Sequence, residues 1–214
     1  MEIDKVTKKR GLLALFIVSA AVVIDQIIKI VVKLSMYLHE SFAVCGDWFY
    51  IYFTENPGMA FGMEFGSKLF LTLFRVVAVS LLIYYLCQIV RNPKFPIGYI
   101  VCIALVLAGA TGNIIDCLFY GEIFSDSRGA VATFVPWGEG YGDFLYGKVV
   151  DMFHFPLFSF DWPKWMPFVG GENFVFFSPI FNFADACISC SVIVIALFYY
   201  KYVSCSFKNE ESES

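Results

Sequence analysis

Carboxylate, amide and ammonium side chains stand at helical spacings inside otherwise apolar stretches of this sequence, and they bound the chemistry open to it. Asp25 and Lys29 are four apart, Asn113 and Asp116 three apart, and Asn182 and Asp185 three apart again. Asp151 sits in Val149-Val150-Asp151-Met152-Phe153, an apolar island after a polar stretch. A charged group in lipid costs about 2.5 to 3.5 kcal/mol on insertion scales, so each needs a partner or a task. Asp25 and Lys29 can neutralise each other on one helix face. Asn113 and Asp116 follow Ala108-Gly109-Ala110-Thr111-Gly112, whose small residues let helices approach, so a helix-helix hydrogen-bond network competes there with chemistry. Asn182 and Asp185, just after Pro179, read better as functional. Asp151 reads either as a poorly solvated, reactive carboxylate or as an ordinary loop aspartate.

Other chemistries fall away. Only His39 and His154 exist, with no H-E-x-x-H, so a zinc protease has no ligand set. No G-x-S-x-G occurs, and Ser67 and Lys68 are adjacent rather than on one helix face. Cys187 and Cys190 spell C-x-x-C inside an apolar run, where a buried structural pair is expected. Gly140-Tyr141-Gly142-Asp143 spells the GxGD of presenilin-type proteases, but in a polar loop, where it is a chance match.

The elements that must carry these residues are membrane helices. Hydrophobic residues make up 59% of the 214 and charged residues 16%, against about 45 to 50% and 25% in globular domains. Mean hydropathy is +0.71. A net charge of −4 offers no phosphate-neutralising surface, so nucleic acid is not a partner. Seven cysteines, mostly within apolar runs, argue against a disulfide framework. Four stretches, 12–33, 69–90, 98–119 and 180–203, are long enough to span a bilayer, and every proline lies outside them. The first could pass for a signal peptide, but its apolar run continues to Val32 without a small-x-small cleavage site. The chain reads as one integral membrane domain, all-α with a small extracytoplasmic β element.

Lysine and arginine cluster in the N-terminal tail, the 91–97 loop and the C-terminal tail, which places both termini in the cytoplasm. Segments 34–68 and 120–179 then face outward. They hold all four tryptophans, which favour the headgroup level, so these loops are expected to rest on membrane lipid. Trp48 to Phe53 reads as a strand leading to the turn Asn56-Pro57-Gly58, the Gly-rich stretch 121–147 as an inserted flap, and 207–214 as a disordered tail. At 1.5 Å per residue from Leu12, Asp25 lies about 20 Å up, and Asn113 and Asp116 about 22 to 27 Å above the inner end of the third span. Asp185 lies about 7 Å below the outer end of the fourth, and Arg75 can snorkel outward at similar depth. The charges thus gather in one layer near the outer surface. That layer, and the lack of internal repeats, count against a proton-coupled transporter, a reading that stays open beside a noncatalytic membrane organiser.

Taken in order, the motifs resemble those of the bacterial lipoprotein signal peptidase family, signal peptidase II, from about 12 to 203. They are Asp25-x-x-x-Lys29, Asn56-Pro57-Gly58-Met59-Ala60-Phe61-Gly62, Gly112-Asn113-Ile114-Ile115-Asp116, Val149-Val150-Asp151, and Asn182-Phe183-Ala184-Asp185. The resemblance implies an aspartic endopeptidase of the bacterial inner membrane with its site near the outer face. Its substrate would be a diacylglyceryl-modified prolipoprotein, cut just before the lipidated cysteine. Asp151 and Asp185 would be the catalytic pair. Asp25, Lys29, Asn56, Gly58, Ala60, Asn113, Asp116 and Asn182 would bind substrate or support the site, with neither metal nor cofactor. The chain departs from the pattern at Cys117, where the family has Arg, and Arg75, Arg128 or Lys148 could supply a cation instead. The long 116-to-151 connection is a second departure.

Overall fold

The computed structural model describes residues 2–57 and 68–203, with side chains from Lys5 onward. Gly58, Ala60 and the 207–214 tail lie outside the described residues. Four helices are long and apolar enough to cross a membrane. They are α1 (Glu2–Ser35), α2 (Lys68–Arg91), α3 (Ile97–Ile115) and α4 (Phe183–Val194). Two of them run on through π-helical turns, α3 through Asp116–Tyr120 to Ile123 and α4 through Ile195–Tyr199 to Val203. The third span therefore ends later than its apolar run implies. Residues 180–182, expected within the fourth span, are instead a strand and a helix cap, because Asn182 caps α4.

The small β element expected is a sheet, with strands beyond the one read at Trp48 to Phe53. β1 (Ser41–Cys45), β2 (Phe49–Asn56), β3 (Val149–His154) and β6 (Ile180–Phe181) form an antiparallel sheet in the order β1-β2-β3-β6. β4 (Phe158–Asp161) and β5 (Asn173–Phe176) pair separately as a two-stranded ribbon. Short strands whose partners lie far along the chain leave little periodic signal, which is why β3 reads as an apolar island.

α3 packs against the other three helices, and its small residues make this possible. A Cβ on Gly109 would collide with the Ala184 carbonyl oxygen, and one on Gly112 with the Asp25 carboxylate. The interior is layered. At the end of the bundle that carries the turn between α2 and α3, Leu86, Ile89, Phe95, Tyr99, Ile103 and Leu107 form one apolar core, and at its far edge Arg10 donates to the Val90, Asn92 and Phe95 carbonyls and so caps α2 and its turn. At the opposite end Val32, Met36, Phe53, Tyr120, Phe124, Val150 and Met152 join α1 to the sheet. The charged residues lie between these cores. Outward rows such as Leu12, Phe16, Phe70, Phe74, Leu81, Leu197 and Phe198 stay exposed, as a lipid-facing surface requires.

Segment 121–147 is more deeply seated than its composition suggests. Its first residues continue α3, and Phe124 and Ser127 are fully buried. Its exposed parts are a turn around Arg128–Val131, Thr133–Phe134, the Pro136–Glu139 stretch, and Asp143, Phe144 and Tyr146. Cys187 and Cys190, expected as a buried pair, are free thiols, one half-buried and one exposed, since their face of α4 looks outward.

Candidate active site

Asn182 is where the site is assembled. Its side-chain oxygen accepts from the Asp185 backbone N–H at 2.9 Å, and its own backbone N–H donates to Asp185 Oδ2 at 3.2 Å. This reciprocal capping box fixes Asp185 in the first turn of α4, where the helix dipole accommodates negative charge. The Asn182 amide nitrogen points the other way, donating to Asp151 Oδ1 at 2.6 Å and to Asn113 Oδ1 at 3.1 Å. Asn113 in turn donates to Asp185 Oδ1 at 2.9 Å. Two carboxylates 34 positions apart in sequence therefore flank one asparagine.

Asp151 reaches this place from β3, which is paired on both sides by β2 and β6. It stands across from Thr54, and the Asn56 side chain also hydrogen-bonds its carboxyl. Asp151 is 4% exposed, whereas Asp185 is half-buried. Burial, and next the charge of Asp185, push the Asp151 carboxyl up to about 7, against the pull of Asn182, Lys29 and Asn56. A proton is thus retained beside a second carboxylate near neutral pH.

Beneath the pair, Lys29 is wholly buried between two acids, 2.9 Å from Asp25 Oδ2 and 2.8 Å from Asp116 Oδ2, and donates to Asn113 Oδ1 at 2.9 Å. Self-neutralisation of Asp25 and Lys29 and a helix-helix network, set out above as separate readings, are one structure. Asp25 Oδ1 accepts the Ala184 backbone N–H at 3.0 Å and so also caps α4. Asp116 Oδ2 accepts the Val150 backbone N–H at 3.2 Å, tying the end of α3 to the residue before Asp151. Of the ten residues expected at the site, eight meet here, and Gly58 and Ala60 lie outside the described residues.

Sequence reasoning missed two groups. Gln26 donates to Asp25, Asp116 and the Gly112 carbonyl and accepts from the Tyr120 hydroxyl. Its position beside Asp25 was the available signal. The second group surrounds Glu55, one residue before Asn56. Glu55 accepts from Lys33 Nζ at 2.5 Å, Lys148 Nζ at 2.8 Å and Ser127 Oγ at 3.3 Å. Tyr141 places its ring 4.8 Å from Lys33 Nζ, and its hydroxyl accepts from the Lys148 backbone N–H at 2.8 Å. Burial alone would raise the Glu55 carboxyl, but Lys33 and Lys148 hold it below the usual carboxylate range. Lys33 follows Lys29 by four residues, so the same helix face could have announced it. The Arg75 guanidinium lies 3.0 Å from Cys117 Sγ, while Arg128 pairs with Asp126 at the surface and Lys148 with Glu55.

Comparison with known proteins gives three results. The family described as Signal peptidase (SPase) II matches residues 17–201. The Lipoprotein signal peptidase of Porphyromonas gingivalis is 53% identical over 85% of this chain and 80% of its own length, and that of Amoebophilus asiaticus 36% identical over 83% and 73%. A solved structure described as a bacterial membrane enzyme superposes with a TM-score of 0.60 at 24% identity, covering 89% of each chain, a likeness of fold.

Proposed function

The chain belongs to the signal peptidase II family, whose members are aspartic-type lipoprotein signal peptidases, and on that premise we propose that Asp151 and Asp185 are its catalytic pair. The chain is a multi-pass membrane enzyme, and its substrates are prolipoproteins. The observation that carries the assignment is Asn182, which holds Asp151 with its amide and Asp185 with its backbone and cap.

Two adjacent carboxylates share one proton, and the buried Asp151 is the member that keeps it. Asp185, with both oxygens accepting hydrogen bonds at a helix N-terminus, carries the negative charge and takes a proton from the attacking water. Asp151 gives its proton to the carbonyl oxygen of the scissile bond. Asn56, Asn113 and Asn182 orient these groups without adding charge. Lys29 bridges the supporting acids Asp25 and Asp116 and offsets part of their charge beneath the pair.

The scissile bond precedes a diacylglyceryl-modified cysteine, whose acyl chains stay in the bilayer while water reaches the peptide. A pair at the head of α4, beside the sheet, meets both needs. The cation distribution supports an inner-membrane placement with both termini cytoplasmic and the pair at the outer face.

The test is release of signal peptide from a diacylglyceryl-modified precursor by the purified protein. Asp151→Asn and Asp185→Asn should each abolish release while precursor still binds. The double variant should be little worse than either alone, because members of a catalytic unit are not additive. Substantial cleavage by either folded single variant would overturn the pair.

A further inference from the structure

The β4–β5 ribbon has two unlike faces. Phe158 pairs with Phe176 and Phe160 with Phe174, while Ser159 pairs with Val175 and Asp161 with Asn173. Alternation along a strand puts the four phenylalanines on one side, and Trp162, one step on, joins them. Phe158 and Phe176 stack at 4.8 Å, and Phe160 lies 4.9 Å from Trp162 and 5.1 Å from Phe174. The opposite side is largely polar, with Asn173 Nδ2 donating to Asp161 Oδ1 at 2.8 Å. The ring face stays open to the surroundings. Phe158 is 53% exposed and Phe176 44%, and at the tip Trp165 is 80% and Phe168 101% exposed.

We propose that this ribbon is an interfacial anchor, its ring face lying on the bilayer between the headgroups and the acyl chains on the side where α4 emerges. A lone two-stranded ribbon is marginal in water and needs a surface to pack on. From Phe176 the chain passes through β6 and the Asn182 cap into α4 at Phe183, seven residues on, which span at most about 25 Å fully extended. The base of the ribbon is therefore tethered at the height of the membrane surface. Phenylalanine and tryptophan with a single lysine, Lys164, suit the headgroup boundary and offer no charge pattern for a polar partner. Depth is limited by the outer edges of β4 and β5, whose unpaired backbone groups are not tolerated in hydrocarbon. The ribbon is inserted between β3, which carries Asp151, and the cap that holds Asp185. The anchor thus sets the height of both carboxylates above the lipid. The bilayer contact itself does not depend on their catalytic assignment.

The experiment uses the full chain in vesicles of phosphatidylcholine and phosphatidylglycerol. With Trp48→Phe and Trp137→Phe, emission comes from Trp162 and Trp165 alone. Lipids brominated high in the acyl chain should remove most of that emission, and aqueous acrylamide should remove little. Should the double variant fail to fold, the difference between the native chain and Trp165→Phe reads the same quenching at one position. Full acrylamide quenching with no effect of brominated lipid would overturn the proposal. So would acrylamide protection without bromolipid quenching, which would place the ribbon against protein. Protection that disappears when excess lipid dilutes the protein would mean a second copy covers the rings, and would also refute it.

Discussion

The Asp151 carboxyl, held near 7 in the folded protein, ionises near 4 in an unfolded chain, so folding takes up a proton between those values. The sign follows. Stability from this group is complete below about pH 4 and is lost as pH rises through about 7. Asp151→Asn should therefore melt a few degrees higher than the native protein at pH 8, with the gap closing toward pH 4, while cleaving nothing. Thermal unfolding of both proteins in one detergent across that range checks it, and an unchanged gap would show that Asp151 does not hold the proton. Turnover should fall on the alkaline side with an apparent value near 7, as the pair loses the proton it shares. Asp116→Asn has a different expected signature. It weakens the tie from α3 to Lys29 and to the Val150 N–H at once, so folded yield should drop at least as much as activity.

The close approach of α3 to α1 and α4 makes its glycines as specific as its acids. Gly109→Ala forces a methyl against the Ala184 carbonyl, beside the cap that holds Asp185, and overpacking of this kind costs about 1 to 3 kcal/mol. Its melting temperature should fall, and residual activity should fall with it. In segment 121–147, shortening the Arg128–Val131 turn should leave stability unchanged, because those residues are exposed. Glu55→Ala should cost about 3 to 5 kcal/mol in detergent, because the fully buried Lys33 loses its counter-charge. The difference between these two outcomes traces how legible each part was in the sequence. Apolar runs and prolines mark the helices because lipid admits little else, and the i, i+3 pairs mark the acids on them. β3 and β6 pair with strands far along the chain, and the Glu55 cluster draws on α1, β2, segment 121–147 and Lys148 just before β3. Nothing in any one stretch encodes such a convergence. Asp151 was recognisable by resemblance, whereas its place on a strand paired on both sides was not.

Across the whole molecule the layers run from an apolar core beside the α2–α3 turn, through buried ionic groups, to a second core shared with the sheet. The expected orientation puts the Arg10-capped turn inside. A single cysteine at Asn92, in a cysteine-free background, should resist impermeant reagents in intact cells and react once the membrane is opened. Labelling from outside would reverse the topology. The ionic layer also bears on how the chain is made. α1 enters the membrane first, carrying Lys29, yet Asp116 leaves the ribosome 87 residues later, roughly 4 to 17 s at ordinary synthesis rates. During that interval Asp25, on the same helix, is already within reach of Lys29. The pair within α1 is thus a travelling escort, keeping a nascent hairpin electrically quiet in the bilayer until the third helix arrives and takes its share of the ammonium.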